Sequence, residues 1–189
     1  MIMRLSRLAL AVCSTSVLAV FAAACSDPVP PTPQGACKAS LLSNGGDCTI
    51  VSQEVSLGSV TATSKDKVLV AGGVESAEVT CQVSGTSSFV VTAAVSVSGE
   101  GIQISIPKID SSATKMAPAM GSAVFASHDS GNAYKSTSDN QCAFYFAQGT
   151  SQGVASGKIW VSFACPKVVG GMSTCEIAES FAIFENCTE

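Results

Sequence analysis

Between residues 78 and 106, apolar and polar side chains alternate almost without interruption, and that alternation constrains the fold more than any other feature. In residues 78–84, Val79, Cys81 and Val83 project to one side and polar groups to the other. Gly85-Thr86 turns the chain into residues 88–98, where Phe89, Val91, Ala93, Val95 and Val97 align. Gly99-Glu100-Gly101 turns it again into Ile102, Ile104 and Ile106, closed by Pro107, which withholds a ladder donor. A period of two places one face of a strand against a core, whereas a helix would scatter the same residues around its axis. Three strands joined by two tight turns predict a meander.

The second half repeats the pattern. Residues 122–127 read as a short strand, 128–140 as a polar loop and 142–146 as a strand. A Gly/Ser turn spans 149–157, and in the strand 158–165 Ile159, Val161, Phe163 and Cys165 share one face, with Trp160 on the other. Residues 176–186 fit helical and strand spacing alike and are assigned as a strand. Further strands are expected within 49–57 and 68–71. About seven short strands at this spacing predict an all-β domain, an antiparallel β-sandwich over residues 37–189.

Nine cysteines make that domain a candidate for disulfide stapling. Cys37, Cys48, Cys81, Cys142, Cys165, Cys175 and Cys187 fall within it. If 142–148 and 159–165 pair as a hairpin, Phe146 faces Val161, Phe144 faces Phe163, and Cys142 stands opposite Cys165. Opposed Cα atoms in an antiparallel pair lie about 4.5–5.5 Å apart, within reach of a disulfide. Cys142–Cys165 is therefore expected. The rival pairs Cys165 with Cys175 and leaves Cys142 to reach Cys81.

The N-terminus carries an address. Arg4 and Arg7 precede an apolar run ending in Ala22-Ala23-Ala24, the pattern of an export signal over residues 1–24. That run is too short to span a bilayer core, which takes about 20 residues. Cys25 follows directly, and Ser26-Asp27-Pro28-Val29-Pro30-Pro31-Thr32-Pro33 can propagate neither helix nor ladder. Ala22-Ala23-Ala24-Cys25 resembles a lipobox, with Ala22 at the position usually held by Leu. The likeness to bacterial lipoproteins implies acylation of Cys25, a Pro-rich tether over 25–36, and membrane attachment through the lipid. It also implies residence in the bacterial cell envelope, at the outer membrane or cell surface. The body resembles small exported β-rich lipoproteins of undefined role, a likeness that implies no activity. The alternative is a secreted, non-lipidated protein, in which Cys25 keeps its thiol and eight cysteines make an even set.

Site chemistry is sparse. The formal charge of −4 becomes about −6 once Arg4 and Arg7 leave, and no run of Lys or Arg is present, which argues against a nucleic-acid partner. His128-Asp129-Ser130 holds the residue types of a hydrolase triad, but such a relay is assembled from separate elements. Gly149-Thr150-Ser151-Gln152-Gly153 spells Gly-x-Ser-x-Gly, yet a nucleophile elbow needs a helix behind it and a later histidine. The lone histidine and the lack of Cys-x₂-Cys argue against a zinc site, and no cofactor is implied. Trp160 and Tyr145, on the faces opposite their core rows, are candidates for a shallow aromatic patch that holds a protein or glycan ligand. The expectation is a non-catalytic binding or structural module. A hydrolase-like enzyme built on 149–153 is the alternative.

Overall fold

The computed structural model describes residues 30–43, 47–63 and 66–189. Cys25, the segment assigned to an export signal and residues 26–29 of the assigned tether lie outside the described residues. The chain from Pro31 to Glu189 is one compact unit. It is all-β, with twelve strands: β1 (Gln34–Leu42), β2 (Gln53–Leu57), β3 (Val70–Ala71), β4 (Ala77–Gly85), β5 (Phe89–Val97), β6 (Glu100–Ile109), β7 (Ala119–Ala126), β8 (Tyr134–Lys135), β9 (Cys142–Tyr145), β10 (Gly153–Ala155), β11 (Lys158–Gly170) and β12 (Ser173–Glu185).

The strands form one antiparallel sheet in the order β2-β1-β12-β11-β8-β7-β6-β5-β4. β9 bridges β11 and β7, β10 pairs with β11, and β3 pairs with β1. The sheet folds over so that β1 and β2 pack against β4, β5 and β6, giving a sandwich whose two layers are continuous. The residues after β12 then return to the outer edge of β4. Val83 N–H donates to Thr188 O at 2.9 Å, and Thr188 N–H to Cys81 O at 3.0 Å. An edge strand that would otherwise offer free N–H and C=O groups is thereby covered over those residues.

The alternating residues do what their period requires. Val79, Cys81 and Val83 on β4, Val91, Ala93 and Val95 on β5, and Ile102, Ile104 and Ile106 on β6 are all buried in one core. The meander pairs in register, with Val83 opposite Val91 and Val95 opposite Ile102. Pro107 does not end β6. The strand runs on to Ile109 through a register shift opposite Val90, and the bulge absorbs the residue that cannot donate.

Several further expectations are revised. The described residues form twelve strands, because short pairings (β8, β10) form inside segments read as loops. β1 opens at Gln34, inside the stretch assigned to the tether. Its Gly35, Ala36 and Ala39 have low strand propensity, but β1 is held by β12 along one side and by β3 and β2 in turn along the other. The ambiguous C-terminal segment is a strand, and both partners of β12 slip register around Ala178–Ser180. Buried Ser180 closes that irregularity, accepting from Ser40 N–H at 3.2 Å and donating to Ala178 O at 2.8 Å.

Three disulfides staple the fold: Cys48–Cys175, Cys81–Cys187 and Cys142–Cys165. The last is the hairpin bond expected from register, with Cα atoms 4.1 Å apart. Phe144 pairs with Phe163 beside it, their ring centroids 5.6 Å apart. The rival pairing does not form, since Cys175 turns to Cys48 and Cys81 to Cys187. Cys37, the free cysteine among the described residues, is fully buried, and burial pushes its thiol pKa up to about 12.

Candidate functional site

β9, β11, β12 and β1 present a second face, turned away from the main core. In β11, Trp160 and Ser162 project there, opposite Ile183 and Phe181 of β12. Ser162 also pairs with Tyr145 of β9, and Trp160 with Gly153 of β10. Trp160 and Tyr145 thus share one face, as their strand phase requires, with Ser162 between their rows.

Neither aromatic lies open on the surface, contrary to the shallow patch expected from sequence. Trp160 is 7 % exposed and packs with Ala36, Val60 and Ile183, flanked by Leu69 and Phe181. Val60, Lys67 and Leu69, from the chain between β2 and β3, lie against it. Gly58 starts that connection at φ +68°, where a Cβ would strike Val68 O at 2.2 Å, so glycine is required. Ser59 and Val68 then exchange backbone hydrogen bonds of 2.8 and 3.1 Å. Tyr145 is 3 % exposed, beneath Lys115 and Glu179.

The two aromatics have matching surroundings. Lys67 stands 5.9 Å from the Trp160 ring centroid and pairs with Glu185. Lys115 stands 5.7 Å from the Tyr145 ring centroid and pairs with Glu179 at 2.7 Å. A cation over an aromatic face is favourable by about 0.5–1 kcal/mol at an exposed site. The Trp160 indole N–H and the Tyr145 hydroxyl are both buried without a hydrogen-bond partner. Such an orphaned group costs about 1–3 kcal/mol relative to a satisfied one. Burial first, and the Glu179 charge next, raise the Tyr145 pKa, while Lys115 opposes the rise. The hydrogen bond to Glu179 raises that of Lys115.

Each aromatic borders a recess. A cleft of about 500 Å³ lies beside Trp160, rimmed by Lys67, Ser151, Lys158 and Glu185. One of about 380 Å³ lies beside Tyr145, rimmed by Lys115, Met116 and Glu179.

The Gly-x-Ser-x-Gly segment contributes Ser151 and Gly153 to the cleft beside Trp160 and is held as a turn. Thr150 Oγ1 donates to Ala147 O at 2.6 Å and accepts from Gln152 N–H at 3.2 Å. Gln152 Oε1 accepts from Ala147 N–H at 2.8 Å, and its Nε2 donates to the buried Ser162 hydroxyl at 2.8 Å. Ser151 is exposed on the cleft rim, and β10, not a helix, follows it. His128 belongs to a different turn. His128–Ser130 is a 3-10 segment whose first N–H donates to Glu100 Oε1 at 2.9 Å, and Ser130 Oγ is turned inward to Ser127 O at 2.8 Å. Neither motif gathers a nucleophile, base and acid. Among the described residues, no three His, Cys, Asp or Glu side chains converge as a metal site.

The orphaned donors and the cleft formed opposite Gly153 escape a reading of the sequence. The one signal that could have pointed to them is a glycine within a strand-like run facing an aromatic. No protein-family model, curated protein sequence or solved structure matches the chain.

Proposed function

We propose that the protein is a lipid-anchored, non-catalytic module of the bacterial cell envelope, acylated at Cys25, with its β body serving binding or structural duties outside the cytosol. The observation that carries this reading is the cysteine pattern. Six cysteines are spent in three bonds within the body, and the seventh, Cys37, is sealed in the core. A secreted protein with four disulfides would join Cys37 to Cys25, whereas Cys37 is a buried free thiol, which supports the lipidated reading. Cys25 is left free of an intramolecular claim from the described cysteines. Three disulfides also suit an oxidising compartment. β1 opens at Gln34, directly after the prolines, so the body starts where a tether would end.

Two chains of acyl carbon anchor stably where one is marginal, at about 0.8 kcal/mol for each buried CH₂. Cys25→Ala is expected to leave the membrane fraction or to accumulate as precursor. Intact mass of the wild-type protein is expected to show a diacylglyceryl adduct, three disulfides and one thiol that reacts only after unfolding. A Cys25→Ala chain that fractionates like the wild type, or a mature mass without lipid, overturns the reading.

A further inference from the structure

We propose that the cleft beside Trp160 takes a small amphipathic carboxylate: an anionic acceptor group carried on an apolar body. This deepens the binding role proposed above but does not depend on acylation of Cys25. The cleft, about 500 Å³, falls within the size range of small-molecule sites. It exists because β10 sets a glycine opposite the indole. Directly opposed residues of an antiparallel pair project to the same face, and a Cβ on Gly153 would meet nothing within 4 Å.

The charge around that space is cationic. Trp160 lines it, and Ser151 and Lys158 stand exposed on the rim. The acid on the rim, Glu185, is already engaged by Lys67. Two cations against one acid leave the cleft net positive on a chain whose formal charge is −4. A cationic recess on an acidic protein favours a ligand with negative charge and repels cationic ligands. Val154 and Ala155 add the apolar wall that an acyl chain or an aliphatic side chain would cover.

Trp160 is the chain's one tryptophan, so its emission reports on this cleft alone. The full chain carrying Cys25→Ala is titrated with hexanoate, N-acetylalanylvaline, hexan-1-ol and methyl glucoside. The two carboxylates separate an acyl source from a peptide terminus. Saturable emission changes with either are expected, with hexan-1-ol and the glucoside weaker by about tenfold or more. Lys158→Glu, on an exposed side chain, should weaken carboxylate binding by about tenfold. Gly153→Val should fill the space and abolish the response while the disulfides still form. Equal saturation by hexan-1-ol or the glucoside, no saturable change with any probe, or unchanged carboxylate binding in Lys158→Glu would overturn the proposal. None of these results bears on membrane fractionation of Cys25→Ala, so the two readings fail separately.

Discussion

Gln152 and Ser162 hold the loop between β9 and β10 to the outer face of β11: the amide Nε2 lies 2.8 Å from the Ser162 oxygen, and Oε1 lies 3.0 Å from it. Ser162 is fully buried, and the same amide accepts from Ala147 N–H. Gln152→Ala therefore strands a buried hydroxyl and a backbone donor together, and a loss of about 2 kcal/mol is expected by urea unfolding. Ser151→Ala, one residue earlier and exposed, should stay within about 0.5 kcal/mol of wild type. A larger loss at Ser151 than at Gln152 would mean the turn is held differently.

The Cys37 thiol makes stability pH-dependent on the alkaline side. Burial raises its folded pKa to about 12 from the ordinary 9.0, so the folded state holds the proton more tightly. Its contribution is fully present below about pH 9 and declines as pH rises toward 12, because only the unfolded chain ionises in that window. Cys37→Ala should lower stability at neutral pH through the lost sulfur, yet show a shallower decline between pH 9 and 11 than wild type. Parallel slopes for the two proteins, measured by urea titration at each pH, would refute the assignment.

The Cys142–Cys165 bond closes a sequence separation of 23 residues, worth roughly 3.5 kcal/mol in the chain-entropy model. Cys142→Ala with Cys165→Ala should lose about that much, on top of the packing the sulfurs provide. Non-reducing peptide mapping of the double variant should still return Cys48–Cys175 and Cys81–Cys187 intact. Rearranged bonds would show that the hairpin disulfide dictates the other two.

Tyr145→Phe removes a hydroxyl that is buried without a partner, so it should be neutral or stabilising within about 1 kcal/mol. Trp160→Ala, by contrast, removes an indole packed against Ala36, Val60 and Ile183 and should cost about 3–5 kcal/mol. Thermal unfolding of both variants under one condition checks the pair. A marked loss in Tyr145→Phe would reveal a hydrogen bond to that hydroxyl.

The meander and the Cys142–Cys165 hairpin are legible because alternation and register are local: once Phe144 faces Phe163, the cysteines two positions away must face each other. β1 is not legible, because Ala36, Cys37 and Ala39 are too small to signal a strand. It is a strand because β12, distant in sequence, pairs along it while β2 and β3 take its other side, and this leaves it nowhere else to place its amides. Cys48–Cys175 and Cys81–Cys187 join residues 127 and 106 apart, and no turn dictates such encounters. Trp160 and Tyr145 were legible as outward-facing, but not as buried. What covers them, Val60, Leu69 and the Lys115–Glu179 pair, comes from segments whose own patterns carry no sign of it.

The pairing of β1 with β12, Gln34 opposite Glu185, makes neighbours of the first and last strands among the described residues. Until β12 emerges, β1 and β11 lack the strand that joins them, and the edge of β4 waits for Thr188. Contacts this distant in sequence form late, since long loops must close before they are rewarded. For a chain exported as proposed, late closure keeps the polypeptide threadable. A chain cut before Ser173 should remain fully digestible by protease in oxidising buffer, whereas the whole chain resists, so β12 is the strand that locks the fold.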